Sequence, residues 1–299
     1  MTDLQTAVAP KESPVRSLLR LSRPQQWHKA LMLFAAPAAA GALESPILVA
    51  RAAVAAVGFT LLSIAIYAFN DIRDAPDDRR HPRKQLRPIA SGALSPAIAA
   101  VFGLTTALLG LATTSVLGWP TLGLALAYLV AQAMYVVGLK HVAVVDLIIV
   151  ASGFVLRAAA GGTATGLPVS HWFLLVSLFG AMFLVTGKRK AEHLLAGNAV
   201  SRPVLAAYPA SWLDQVMTVA LLGSAMSYGM WAFQYLGDDT YRELLALSFL
   251  PFFTGLLRYG LLVSTGRGEQ PEHEIFRDRV LLIAGLTWAI VVGTGLYGA

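Results

Sequence analysis

The 299-residue sequence contains no cysteine and little charge, since only 13% of its residues are Asp, Glu, Lys or Arg. The lack of cysteine excludes disulfides, thiolate metal ligands and a cysteine nucleophile. The low charge argues against a soluble globular protein, because 56% of the residues are apolar. The chain also lacks a Gly-rich nucleotide loop, a serine elbow and metal-ligand spacing among its six histidines.

The apolar residues are gathered into blocks of about 17 to 24 residues, the length of helix that crosses ~30 Å of hydrocarbon. Nine such blocks predict an all-α integral membrane protein with about nine transmembrane helices. The blocks are residues 27–48, 51–70, 95–117, 119–138, 142–163, 171–187, 213–236, 243–263 and 280–298. We expect residues 27–299 to form a single transmembrane domain.

Residues 1–26 lack the apolar core and cleavage site of a secretory leader, so we expect the first span to be retained. The stretch VRSLLRLSRPQQWHK predicts a short cytoplasmic helix at the membrane interface. The apolar side chains expected to face lipid are Val15, Leu18, Leu19 and Leu21.

The basic residues predict the orientation of the chain. Long polar connections at 71–94, 188–212 and 264–279 alternate with short joints, and 20 of the 23 Lys and Arg residues lie on the side of the long connections. Because cytoplasmic loops collect positive charge, we expect a multi-pass protein of the plasma (inner) membrane with a cytoplasmic N-terminus and an external C-terminus. This topology accounts for the net charge of +6 without a nucleic-acid partner.

The most charged stretch is NDIRDAPDDRRHPRKQLRPIASG, at residues 70–92. Asn70, Asp74 and Asp78 are spaced by four, which places them on one face if the second span continues as a helix past Pro76. Such like charges repel unless a cation lies among them, and carboxylates together with phosphate oxygens suit Mg²⁺. A solvated loop that follows the positive-inside rule would explain the arginines, but not acids at regular spacing.

Two further clusters fall on the same side of the membrane. TGKRKAEH at 186–193 contains Lys188, Arg189 and Glu192, and GLKHVAVVD at 138–146 contains Lys140 and Asp146. By topology both surround the same cytoplasmic opening as the 70–92 stretch, although charges that flank a span also serve as anchors.

Arg157 lies well inside a span, where an arginine is costly unless it faces the bundle interior and has partners. It follows Asp146 by eleven residues, close to three turns, so the two share a helix face. Arg157 either lines the polar cavity or braces neighbouring helices.

NDIRDAPDDR resembles the N-D-x-x-D-x-x-x-D signature of the UbiA-type membrane prenyltransferases, and the flanking RPQQWHK and HPRKQLRPIASG are also similar to that family. The resemblance covers nearly the whole chain. It implies a UbiA-type bundle of nine transmembrane helices with a cytoplasmic-facing polar cavity. Family members typically carry a second D-x-x-x-D motif after the sixth span, whereas KRKAEH offers Glu192 as its only acid.

GLKHVAVVDLIIVASGFVLRAAAGG, TGKRKAEH and FRDRVL are most similar to the decaprenyl-phosphate phosphoribosyltransferase branch of the family. This resemblance implies Mg-dependent transfer of 5-phosphoribose from phosphoribosyl pyrophosphate to a polyprenyl phosphate, toward decaprenyl-phosphoryl-arabinose and cell-wall arabinan. It implies that Asn70, Asp74 and Asp78 are the catalytic residues and metal ligands. The expected phosphate-binding residues are Lys29, Arg79, Arg83, Lys84, Arg87, Lys140, Arg157, Lys188 and Arg189, supported by Asp71, Asp146 and Glu192.

Two alternatives stay open at this point. Another UbiA-type enzyme would move a prenyl group from a prenyl diphosphate to an aromatic, quinone or haem acceptor, which predicts a second acid pair at 188–192 that the sequence lacks. A transporter would carry several ionisable residues at mid-membrane, and only Arg157 fits. The sequence leaves the isoprenoid length undetermined and a homo-oligomer open.

Overall fold

The computed structural model describes residues 13–196, 203–237, 239–268 and 271–298, and within these residues the protein is helical, with no strand. The predicted all-α fold is confirmed. The α-helices are α1 Pro14–Leu21, α2 Ala35–Ala39, α3 Pro46–Asp78, α4 Pro96–Ser115, α5 Trp119–Val137, α6 Val145–Thr165, α7 His171–Ala196, α8 Ala210–Phe233, α9 Thr240–Leu247, α10 Phe249–Ser264, α11 Pro271–Arg277 and α12 Arg279–Tyr297. 3₁₀ helices lie at Pro24–Phe34, Lys84–Leu86, Leu139–His141 and Pro203–Ala207.

Eight segments of the described chain are long and apolar enough to cross a membrane, namely α3 to α8, α9 with α10 taken as Thr240–Ser264, and α12. These correspond to eight of the nine predicted blocks. The exception is block 27–48, which is not a long α-helix but the 3₁₀ helix Pro24–Phe34 followed by α2. A 3₁₀ helix rises ~2.0 Å per residue and an α-helix ~1.5 Å, so the two together extend about 30 Å. The first block therefore keeps the length of a span.

Close packing explains the narrow helix in the first block. A Cβ at Gly161 of α6 would lie 2.1 Å from the carbonyl oxygen of Leu33, so the two backbones are in direct contact. The 3₁₀ helix is thinner than an α-helix and allows this approach. Pro37 then removes a backbone donor within α2, and Gly41 turns the chain away with φ +66°.

Helix α3 is 33 residues long, well beyond the ~20 that a span requires. The Ser45 hydroxyl caps its N-terminus by accepting a hydrogen bond from the Leu48 N–H. The helix continues through Pro76 and ends only at Asp78, so residues 70–78 are helical, as the acid spacing required. Pro76 lies in the last turn, where its missing N–H removes one hydrogen bond of the helix.

The joints between spans gather alternately at two ends of the bundle. We call one end the motif end; it contains the end of α3 and the connections 79–95, 138–144, 203–209 and 265–268. At the opposite end, Arg51 Nε donates to the Ala164 carbonyl at 2.6 Å and the Tyr297 hydroxyl donates to the Ala38 carbonyl at 3.0 Å.

Helix α1 packs at the motif end with a different face inward from the one we predicted. Leu21 is fully buried, and Leu18 packs with it against Ile89 and its neighbours, so the expectation that these two leucines face lipid is wrong. Val15 and Leu19 are exposed by 76% and 54%. A hydrophobic pattern alone cannot separate a lipid-facing stripe from one that docks onto the protein.

The contact between Gly161 and Leu33 yields a test of the packing. Gly161→Ala should lower the melting temperature by several degrees, because neither backbone can move aside and overpacking costs about 1–3 kcal/mol. Gly123→Ala is the matched control, since no atom lies within 4 Å of the added carbon and Ala favours a helix. The intrinsic fluorescence of the six tryptophans reports unfolding in detergent. Equal melting temperatures for the two variants would contradict the packing.

Candidate active site

Asn70, Asp74 and Lys140 meet at the motif end. The Asn70 amide Nδ2 donates to Asp74 Oδ2 at 3.0 Å, one helical turn along α3. The Lys140 ammonium pairs with Asp74 Oδ1 from the 3₁₀ turn Leu139–His141, 66 residues away in sequence. The structure thus brings together three of the predicted site residues from two elements.

A second ion-pair network lies beside the first. Arg23 and Arg87 both pair with Asp71 Oδ1, and Arg87 Nη1 also donates to Asp78 Oδ2 at 2.7 Å. Asp71 and Asp78 are each 3% exposed. The Arg23 guanidinium also lies over the Tyr67 ring, 4.8 Å from its centroid. Sequence reasoning missed Arg23 as a site residue, and its only signal was that it is the first residue of the RPQQWHK similarity.

The predicted stripe of Asn70, Asp74 and Asp78 is therefore divided. Asp78 lies two turns beyond Asp71 and shares Arg87 with it, whereas Asn70 and Asp74 face Lys140. The acids are regularly spaced along α3, but neighbouring segments supply them with different partners. Asp71, Asp74 and Asp78 each pair with at least one basic side chain.

The donor atoms at this end determine what a metal could use. Within the described residues, no three His, Asp or Glu side chains are grouped closely enough to hold a metal ion. Mg²⁺, however, commonly takes only one or two carboxylates and completes its shell with phosphate oxygens and water. The oxygens of Asn70 and Asp74 fit a magnesium ion that a bound phosphate shares, and do not fit one held by the protein alone. Asp78, the third predicted ligand, is paired with Arg87 and would have to exchange that contact for the metal.

A third cluster surrounds Asp146, which is fully buried at the start of α6. Arg189 Nε donates to Asp146 Oδ2 at 3.2 Å and its Nη1 donates to Glu192 at 3.3 Å. Arg189 is 3% exposed and is neutralised by Asp146 and Glu192. The sequence predicts that Arg189 binds phosphate and that these two acids support the site, and the structure brings the three side chains together.

Tyr208 completes the third cluster and fixes the neighbouring turn. Its hydroxyl donates to Asp146 Oδ1 and accepts the backbone N–H of Val144 at 2.6 Å. Val144 has φ +69°, a strained angle for a β-branched residue. Burial and the hydrogen bond to the Asp146 carboxylate raise the pKa of Tyr208 to about 12, so it stays a neutral donor at physiological pH. The turn that this contact holds carries Lys140.

The remaining predicted bases differ in availability. Lys188 is half-buried beside Arg189 and has no ion-pair or hydrogen-bond partner in the described part of the chain. Arg79 and Arg83 are exposed, and Lys84 is half-buried in the loop after α3. Lys29 lines a small cavity next to Tyr67.

His81 shapes the loop after α3. Its Nδ1 accepts the backbone N–H groups of Arg83 and Lys84 at 3.2 and 3.3 Å, which requires that nitrogen to be unprotonated. Partial burial and the nearby Lys84 charge lower the pKa of His81, which favours the neutral ring.

Arg157 acts as a brace between three helices. Its Nη2 donates to the Tyr128 hydroxyl of α5 at 2.7 Å and to the Ser63 hydroxyl of α3 at 2.9 Å, and its Nη1 donates to the Gly153 carbonyl within α6. The guanidinium also lies 4.5 Å from the Tyr128 ring centroid. Arg157 also borders the same small cavity as Lys29. It therefore both braces neighbouring helices and lines a cavity, the two roles between which the sequence did not decide.

Comparison with known proteins identifies the family of this chain. Residues 31–266 match the UbiA prenyltransferase family. The chain is 38% identical to the decaprenyl-phosphate phosphoribosyltransferase of Mycolicibacterium smegmatis, over 99% of this chain and 97% of that protein. It is also 38% identical to the protein of the same name from Corynebacterium glutamicum, over 96% of this chain and 89% of that one.

The fold is likewise similar to a solved structure, a UbiA homologue from Archaeoglobus fulgidus bound to DMAPP and Mg²⁺. The TM-score is 0.71 at 17% identity, covering 93% of this chain and 97% of that one. The chain belongs to the UbiA prenyltransferase family and is an integral membrane protein. The family resemblance predicted from the 70–78 signature is confirmed.

The Tyr208 contacts predict a structural requirement at this site. Tyr208→Phe should destabilise the protein by about 1–3 kcal/mol, because Asp146 loses a donor in a fully buried position and the Val144 N–H loses its acceptor. Tyr241→Phe is the control, since Tyr241 is 45% exposed and its hydroxyl has no hydrogen-bond partner among the described residues. Thermal unfolding measures both variants, and an unchanged melting temperature for Tyr208→Phe would contradict this assignment.

Proposed function

We propose that the protein transfers 5-phosphoribose from phosphoribosyl pyrophosphate to a polyprenyl phosphate such as decaprenyl phosphate, with release of pyrophosphate. The observation that carries the proposal is 38% identity, over 96–99% of this chain, to relatives named for that activity. The product would serve the formation of decaprenyl-phosphoryl-arabinose and cell-wall arabinan.

The chemistry at the α7 segment favours this donor over a prenyl diphosphate. A second acid-rich motif would need two free carboxylates near residues 188–192, and Glu192 is already paired with Arg189. Lys188, without a partner in the described chain, instead offers a positive charge. Phosphoribosyl pyrophosphate carries an additional 5-phosphate that such a lysine can bind.

The reaction exchanges one bond at ribose C1 for another. The C1–O bond to pyrophosphate breaks and its electron pair leaves with the pyrophosphate, while a phosphate oxygen of the lipid forms a new bond to C1. That oxygen is already ionised near pH 7, since the second pKa of a phosphate monoester is about 6, so a strong general base is unnecessary. The barrier lies in the departure of pyrophosphate and in the positive charge that develops at C1, as in other glycosyl transfers.

The residues at the motif end suit this barrier. Asn70, Asp74 and Asp78 would hold Mg²⁺, which when bound neutralises the leaving pyrophosphate. Asn70 orients the Asp74 carboxylate, and Lys140 adds an ammonium group beside it that can bind a leaving-group oxygen. Lys29 and Lys188, both expected to bind phosphate, would position C1 for attack.

The lipid acceptor also accounts for the membrane location. Its isoprenoid tail remains in the bilayer while its phosphate reaches the motif end. The excess of Lys and Arg at this end supports a plasma-membrane protein with its site and N-terminus in the cytoplasm and its C-terminus outside. Of the predicted interfacial segment 1–26, residues 1–12 lie outside the described residues. Residues 13–26 would then lie at the interface, and residues 27–299 would form one catalytic membrane domain.

A direct assay tests the proposed activity. Membranes that contain the protein should convert labelled phosphoribosyl pyrophosphate and polyprenyl phosphate into a phosphoribosylated lipid with Mg²⁺ present, and should lose this activity in EDTA because the leaving group is then not neutralised. Membranes without the protein provide the baseline. Transfer from a prenyl diphosphate to an aromatic acceptor, with no phosphoribosylated lipid formed, would establish the rival activity.

Acid substitutions test the assigned ligands. Asp74→Asn and Asp78→Asn should each lower kcat at least 100-fold while the protein still folds, because the magnesium ligand set loses a charge. Asp77→Asn is the matched control, since Asp77 is exposed on the same helical turn and has no ion-pair partner in the described residues. Near-normal turnover in both Asp74 and Asp78 variants would remove the metal assignment.

A further inference from the structure

A cavity of about 580 Å³ lies at the motif end, on the side of α3 that carries Asp71. Its walls come from α1, the start of the 3₁₀ helix Pro24–Phe34 and the loop 83–88. The side chains that matter here are Leu19, Arg20, Arg23, Arg83, Leu86 and Arg87. We propose that this cavity, the arginine bay, binds the phosphate group of the polyprenyl phosphate acceptor, an assignment that rests on the proposed function.

Two arginines of the bay, Arg83 and Arg87, keep donor groups without an ion-pair partner among the described residues. Four arginines line it together with one carboxylate, Asp71. Arg87 makes its contacts with Asp71 and Asp78 through Nη1, so its Nε and Nη2 have no partner within the described residues. The Arg83 side chain is exposed and has no ion-pair partner in the same part of the chain. These donors suit a dianionic phosphate monoester, which arginine binds without a metal ion.

The rim of the bay indicates a lipid rather than a free phosphate. Leu19 and Leu86 border it and are 54% and 64% exposed, and Val15 lies one turn before Leu19 on α1 with 76% exposure. Exposed leucines next to arginines fit the boundary between headgroups and acyl chains. Because Leu21 is fully buried, α1 is docked firmly and this rim has a fixed place. A water-soluble phosphate needs no apolar border.

The bay is also close enough to the site of reaction. Asp71 is adjacent to Asn70 and three residues from Asp74, which is ~4.5 Å of rise along the helix axis. Arg87 connects the two regions directly, since it contacts both Asp71 and Asp78. A lipid phosphate in the bay therefore lies beside the residues assigned to the sugar donor, on the neighbouring face of the same helix end.

Charge removal at Arg83 tests the bay. The full-length protein in nanodiscs is titrated, without turnover, with a short-chain polyprenyl phosphate and, separately, with phosphoribosyl pyrophosphate and with phosphatidic acid. Arg83→Gln should weaken binding of the lipid phosphate roughly tenfold, the effect of losing one charge-assisted hydrogen bond, and should leave binding of phosphoribosyl pyrophosphate and the melting temperature unchanged. Arg80→Gln is the matched control, because Arg80 is exposed in the same loop but does not line the bay.

Three other binding outcomes would overturn the proposal. Loss of phosphoribosyl pyrophosphate binding in Arg83→Gln would assign the bay to the donor. An equal loss of binding to phosphatidic acid would make it a general headgroup anchor, and unchanged binding of every ligand would show that Arg83 holds none of them. Since binding is read without turnover, Arg83-dependent capture of the lipid phosphate together with no phosphoribosylated product would refute the proposed function and leave the bay standing.

Discussion

The motif end depends on the neutralisation of acids at the C-terminus of α3. Asp71, Asp74, Asp77 and Asp78 occupy the last two turns of that helix, where the helix dipole already places partial negative charge. Acids so close together repel one another unless cations approach them. Arg23, Arg87 and Lys140 supply those cations from three separate segments. The start of the 3₁₀ helix, the loop after α3 and the turn after α5 are thereby tied to one helix end.

This balance limits what the site can bind. Three buried or half-buried carboxylates, Asp71, Asp74 and Asp78, face three bases, so the contacts are close to neutral before any ligand arrives. Under the proposed function the diphosphate of the donor and the phosphate of the lipid add several negative charges, and these require further cations. A metal ion at Asp74 and Lys188, which has no partner in the described chain, are available to the donor, and the Arg83 side chain is available to the lipid phosphate.

The parts of this arrangement that the sequence predicted are local, and the parts it missed are not. Helical continuation to Asp78 and the proximity of Asn70 to Asp74 follow from the four-residue period of a helix. Topology placed Lys140 at the same opening but did not predict its pairing with Asp74, and Arg23 was missed altogether. Arg23 and Lys140 lie 48 and 66 residues from their acids, and no period relates them. Hydropathy likewise located the first block but could not show a 3₁₀ helix, because the close approach to Gly161 that favours it is a tertiary contact.

The α7 segment shows how one departure from the family pattern has two consequences. Lys188 and Arg189 are neighbours, but successive residues on a helix point about 100° apart. Arg189 turns into the bundle, where Asp146 and Glu192 neutralise it, and Lys188 is left without a partner in the described chain. Arg189 therefore has a structural role, whereas the charge of Lys188 is available to a ligand. A single positive charge at the α7 segment suits the terminal 5-phosphate of a phosphoribosyl donor, which it can hold by Coulomb attraction. A second metal ion bound to a diphosphate would instead require two free carboxylates at this segment. The geometry of these adjacent residues, rather than the count of bases, is what favours a phosphoribosyl donor.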